Sequence, residues 1–141
     1  MPRTAPTDHC PCGRTVSPAV GAKKPPQPIA FAACCAPLLQ GSQPAANAEA
    51  LMRSRYTAYV LGDAAYVLRT WHPSTRPAEM ALDASTHWLG LQVQQHNVLD
   101  ATHAEVAFVA RYKMHGRAHR LQEHSRFVLE NGQWFYVDAV A

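Results

Sequence analysis

From Asn47 to Trp71 the apolar positions recur with the spacing of a helix. Ala48, Leu51, Met52, Tyr59 and Val60 fall on one broad face with Tyr56 at its edge, and Arg53 and Thr57 lie on the other side. Asn47 supplies an N-cap, Glu49 places an acid in the first turn, and Gly62 ends the helix. Asp63 then caps a second helix over 64–71, which gathers Tyr66, Val67 and Trp71 on its buried side. Pro73 forbids continuation and holds His72 extended. A weaker helical pattern covers 78–86.

Beyond this point the period changes to two. Leu89, Leu91 and Val93 alternate with Gly90 and Gln92, and Val106, Phe108, Ala110 and Tyr112 share one face of the next run. Met114-His115-Gly116 reads as a turn, after which Leu121, Glu123, Ser125, Phe127 and Leu129 share a face. Asn131-Gly132 calls for a type I′ hairpin, with a return strand over 134–137. Helices followed by an antiparallel meander of about four strands predict an α+β domain, with the helices packed on one sheet face.

That alternation turns Glu123 and Ser125 toward the core, where a carboxylate is rarely buried without a partner. Two readings follow. In one, the sheet opens onto a pocket lined by Tyr59, Trp71, His72, Glu123 and Ser125, with His72 or Glu123 as the general base of an isomerase- or dehydratase-like enzyme. In the other, the aromatics are core, His72 fixes its turn by bonding a backbone carbonyl, and Glu123 pairs with Arg69 or His72. Arg53 and Arg55 either hold an anionic ligand or partner or form a solvated face with an ion pair to Glu49. Alternatively, they join Lys23 and Lys24 in a nucleic-acid contact, whose binding would fall steeply with salt. The histidines at 87, 96, 103, 115, 119 and 124 show no ligand spacing and read as surface.

Composition narrows the field. The 141 residues make one domain with a small appendage, and a net charge of +3 spread along the chain lacks the dense basic stripe of a nucleic-acid binder. No run approaches the roughly 20 apolar residues that span a bilayer. The opening MPRTAPTDHCPCG lacks the apolar segment of a secretory signal, so a cytoplasmic location is expected.

Residues 1–46 are rich in Pro, Ala and Gly without periodicity, a composition that does not order itself unaided. They also hold all four cysteines, Cys10 and Cys12 in Cys-Pro-Cys-Gly and then Cys34-Cys35. In a reducing compartment such a cluster points to metal rather than disulfides, and four thiolates satisfy tetrahedral zinc. Otherwise Cys34 and Cys35 are small buried hydrophobes. His9 is a substitute ligand or a solvated neighbour.

Cys-Pro-Cys-Gly followed by an aromatic-x-x-Cys-Cys resembles the SEC-C zinc motif. Pro37-Leu38-Leu39-Gln40-Gly41, Leu-Met-Arg-Ser-Arg-Tyr-Thr-Ala-Tyr-Val (51–60), Thr-Trp-His-Pro-Ser-Thr-Arg-Pro (70–77) and Trp-Leu-Gly-Leu (88–91) resemble the YchJ family. The resemblance implies Cys10, Cys12, Cys34 and Cys35 as zinc ligands. It also implies the cone-shaped fold of nuclear transport factor 2 (NTF2) over 42–141, with the zinc arm at 1–41. Two departures stand out: the spacer from Gly13 to Ala33 is long for the motif, and Ala36 replaces a common Gly. The Pro-rich insert 15–28 reads as a protruding loop. The expected role is that of a small zinc-binding accessory protein. Its arm recruits a protein partner, its cone is a scaffold or holds a small ligand, and an exposed sheet face suits a homodimer. The fold itself does not choose among enzyme, binder and scaffold.

Overall fold

A computed structural model describes residues 4–16, 21 and 23–140 of the chain. The elements run β1 (Thr15–Val16), β2 (Gln27–Pro28), a 3-10 turn (Phe31–Ala33), α1 (Ala36–Leu39), α2 (Ala48–Leu61) and α3 (Ala64–Arg69). The strands β3 (Thr86–Val98), β4 (His103–Met114), β5 (Arg117–Glu130) and β6 (Gln133–Ala139) follow. β1 and β2 form a small exposed ladder at the base of the Pro-rich insert, whose residues 17–20 and 22 lie outside the described part. The other four strands make one antiparallel sheet in sequence order, the predicted meander.

Local chemistry sets the helix ends. The Asn47 side chain accepts the Ala50 N–H at 2.8 Å, and Gly62 takes the left-handed conformation (φ +74°) that releases the chain from α2. Asp63 caps α3 through Tyr66 N–H at 3.0 Å. α3 stops at Arg69, two residues short of the predicted end, because Trp71 leaves the helix to bridge Tyr136 on β6. The helix expected over 78–86 does not form; 77–84 is irregular and β3 begins at Thr86. At the hairpin, Asn131 (φ +52°) and Gly132 (φ +76°) adopt the expected left-handed pair.

One face of the sheet wraps α2. Leu51, Met52 and Tyr56 pack on Ala104, Val106, Phe108, Ala110 and Phe127, and full burial of a side chain such as Phe127 contributes about 1.5–3 kcal/mol. A β-bulge at Leu89 corrects the predicted face of β3: Trp88 and Leu91 turn inward, and Leu89 is left 58% exposed. The middle of α2 is buried all round, so the expectation that Arg53, Arg55 and Thr57 face water fails. Thr57 and Arg55 are fully buried and Arg53 is half-buried. The cysteine arm covers Thr57 and part of Arg53, while the end of α3 with Trp71 and Tyr136 encloses Arg55. Cys10, Cys12 and Cys35 belong to the same core as Leu51 and Tyr56.

Candidate functional site

The arm folds back on itself through backbone bonds, Cys10 N–H to Ile29 O at 2.8 Å and Phe31 N–H to Asp8 O at 2.8 Å. Gly13, at φ +74°, turns the chain after the first cysteine pair, where a Cβ would stand 3.6 Å from the Leu91 carbonyl oxygen. These bonds bring the two cysteine pairs together. The four Sγ atoms lie within 4.8 Å of one another, with Cys12 and Cys34 at 3.6 Å, and all four are free thiols. Cys10, Cys12 and Cys35 are buried and Cys34 half-buried, while His9 is exposed and engaged through its backbone with Ala30.

Whether these residues fit a metal is a question of size and charge. Sulfurs at roughly 2.3 Å from a zinc ion stand roughly 3.8 Å apart in a tetrahedron, close to the observed Cys12–Cys34 separation of 3.6 Å. Crowding also divides the thiols electrically. Hydrogen bonds from Cys12, Cys34 and Cys35 hold the Cys10 thiol well below its ordinary value. Cys35 is pushed far up, first by its bond to Cys10 and then by those to Cys12 and Cys34, with burial adding to them. Four thiolates at this spacing require a cation among them, so the donor set fits a tetrahedral thiophilic metal.

Helix α2 supplies the surroundings of this cluster. Thr57 donates its hydroxyl to Cys35 Sγ at 3.4 Å and stands 3.9 Å from Cys10 Sγ. Arg53 donates to Cys12 O at 3.0 Å while paired with Glu49 at 2.9 Å. The backbone N–H of Arg14 points at Cys12 Sγ at 3.5 Å. Thr57 and Arg53 escaped the sequence reading because polar residues four apart on a helix read as a solvated stripe; the only signal was that a cysteine arm too poor to order itself needs something to cover.

On the other side of α2 lies a cavity of about 260 Å³, and it holds three of the five predicted pocket residues, Tyr59, Trp71 and Glu123. Ser125 does not line it; fully buried below, it donates to Glu123 Oε2 at 2.5 Å. Tyr136 also donates to that oxygen, at 3.2 Å. Glu123 therefore pairs with Ser125 and Tyr136, not with Arg69, which donates to Leu39 O, or with His72. His72 stands apart from the cavity. Its Nε2 meets Glu130 Oε2 at 2.6 Å and its Nδ1 accepts the Ser74 N–H at 3.1 Å, so both ring nitrogens are engaged in holding the turn. Its fixing partner is a carboxylate rather than the expected backbone carbonyl, and neither ring nitrogen is free to serve the cavity as a general base.

Arg55, which the sequence offers as a holder of an anionic ligand or as a solvated residue, is 3% exposed at the cavity wall. Its Nη1 donates to Val67 O at 2.8 Å and Thr70 Oγ1 at 2.7 Å, and its guanidinium carbon lies 5.3 Å from the Trp71 ring centroid and 4.6 Å from that of Tyr136. Burial pulls its pKa down, with the nearby phenols and Glu123 opposing. Burial likewise lifts Tyr56 to about 12, so that phenol stays neutral. With Arg55 inside, the basic surface proposed for nucleic acid loses its central member. Among the described residues, no helix is long and apolar enough to cross a membrane.

Comparison with known proteins agrees with this architecture. The family model described as "YchJ, middle NTF2-like domain" matches residues 47–139. A UPF0225 protein of Polaromonas naphthalenivorans is 57% identical over 132 residues, covering 94% of this chain and 96% of its own. One from Cupriavidus pinatubonensis is 52% identical over 143 residues, covering 97% and 90%. Among solved structures, a SEC-C motif containing protein from Psychrobacter arcticus superposes with a TM-score of 0.75 at 31% identity, covering 94% of this chain and 82% of its own. Another from Rhodopseudomonas palustris gives 0.74 at 30%, covering 94% and 98%. With its four-cysteine arm seated on an NTF2-like cone, the chain belongs to the YchJ (UPF0225) family.

Proposed function

We propose that this is a small zinc-binding accessory protein in which a structural zinc site ties the N-terminal arm to the cone. Cys10, Cys12, Cys34 and Cys35 are its ligands. Zinc would neutralise the thiolates and cross-link an arm that has little core of its own. The observation that carries this reading is the convergence of all four Sγ atoms against a buried threonine hydroxyl. Four protein donors leave no open coordination position, which is the pattern of a structural rather than a catalytic site. The SEC-C motif named for both solved relatives supports the same reading.

The thiols face inward, and the arm turns Asp8, His9 and the 56%-exposed Val16 outward, as a contact for a protein partner. The cone is the scaffold and, through its cavity, a holder for a small ligand. Elemental analysis of protein purified under reduction should find about one zinc per chain, lost in the Cys34→Ser/Cys35→Ser variant together with cooperative thermal unfolding. Metal-free wild-type protein that unfolds as cooperatively as any other preparation would overturn the proposal.

A further inference from the structure

We propose that the cone cavity binds a small 2-hydroxy or 2-amino carboxylic acid with an apolar side chain, its carboxylate on Arg55 and its hydroxyl or amine on Glu123. The proposal deepens the ligand-holder part of the reading above, and none of the zinc-site cysteines touches the ligand it names.

It starts from unmet hydrogen-bond donors. A buried guanidinium is costly unless a counter-ion or a full set of acceptors meets it. Arg55 has acceptors for Nη1 alone; among the described residues neither Nε nor Nη2 has a hydrogen-bond partner, and no salt bridge reaches it. Trp71 and Tyr136 offer their ring faces, which offset part of the cost and fix the plane of the fork. A planar fork with two free donors at a cavity wall is matched by a carboxylate.

Glu123 restricts the class further. It lines the same cavity with Oε2 held by Ser125 and Tyr136, so it is a fixed acceptor in the same space as the cation. A plain monoacid would set its carboxylate near this second carboxylate and be repelled. An acid with a hydroxyl or ammonium group on the neighbouring carbon gives Glu123 a donor and removes that conflict. Tyr59 and Trp88 complete walls that are mainly apolar. At about 260 Å³ the space falls below the roughly 300–1,000 Å³ of drug-sized sites, so the side chain is about as large as a phenyl or branched aliphatic group.

The protein carries its own reporters. Of its three tryptophans, Trp71 and Trp88 line this cavity and Trp134 lines a different one. The zinc content of the full-length sample is measured first, and indole N–H signals are then followed while phenyllactate, phenylalanine, 2-hydroxyisocaproate, 3-phenylpropanoate and 2-phenylethanol are added. The expected result is saturable movement of Trp71 and Trp88, but not Trp134, with a Kd of about 1 mM or tighter for the best hydroxy or amino acid. 3-Phenylpropanoate should bind about tenfold more weakly, and the neutral alcohol should not bind. Arg55→Met should abolish binding. Because Arg55 is anchored in the core, Glu123→Gln is the second variant: the Trp134 signal stays in place and the tenfold preference for phenyllactate over 3-phenylpropanoate disappears. Silence of Trp71 and Trp88 toward every acid at about 10 mM would overturn the proposal. So would equal binding of 2-phenylethanol, an outcome that leaves the cavity a ligand holder but not one for acids.

Discussion

Replacing Thr57 by Val tests whether α2 takes part in the metal site or merely lies beside it. Thr57 is fully buried, and its hydroxyl has two neighbours of interest, Cys35 Sγ at 3.4 Å and Cys10 Sγ at 3.9 Å. Valine keeps the volume and deletes the donor. A hydrogen bond to a charged group contributes about 1.5–3 kcal/mol, and a long bond to sulfur belongs at or below the low end. Loss of an outer partner of a metal ligand costs about 10- to 100-fold in affinity. The expected change is therefore about a tenfold loss of zinc affinity, equivalent to about 1.4 kcal/mol. Competition against a chromophoric chelator measures it. Thr57→Ser is the control, since it keeps the hydroxyl and removes a methyl group. Its zinc affinity should match wild type while its folding stability falls by about 1 kcal/mol from the small void. If the Val variant holds zinc as tightly as wild type, or if Ser weakens binding as much as Val, the hydroxyl does not act on the thiolate.

Three further outcomes follow from the fold. Deleting residues 1–41 should yield a chain without cooperative unfolding by circular dichroism, because Cys10, Cys12 and Cys35 share a core with Leu51 and Tyr56. Gly132→Ala should lower stability by about 1 kcal/mol in urea titration; nothing crowds its Cβ, so the cost is that of φ +76° alone. Asp100 is held at about 2 by the backbone N–H of Thr102 and by His103, below the ordinary carboxylate value of 3.8. Its contribution is present in full above about pH 4 and is lost as pH falls through 2. A carboxyl carbon titration by NMR should find the midpoint near 2.

The parts of this fold that announce themselves do so through local chemistry. Asn47, Gly62, Asp63 and the Asn131-Gly132 turn each satisfy a backbone requirement that no distant contact can change, and all four behave as the sequence implies. The cysteines were legible because their chemistry narrows their use. Three features escaped because tertiary contacts decide them. The bulge at Leu89 reverses a face in mid-strand, the 78–86 segment seats Met80 against Tyr59 and α3 as irregular chain instead of a helix, and the partners of Glu123 depend on how β5 and β6 are registered.

The polar residues in the middle of α2 show why such errors are systematic rather than accidental. A helix with one buried face is read by setting its polar side to water, yet α2 is covered in every direction. Met52 and Tyr56 meet the sheet, Ser54 bonds the Tyr66 hydroxyl of α3 at 2.7 Å, Arg55 holds the end of α3, and Thr57 faces the arm. Apolar residues at 54, 55 and 57 would have buried as much surface and tolerated several seatings of the covering elements. Hydrogen bonds do not, since a slip of one turn leaves a buried donor unmet at about 1–3 kcal/mol each. Ser54, Arg55 and Thr57 therefore each fix the position of one neighbour, and those positions bring the thiols together on one side of α2 and open the cavity on the other.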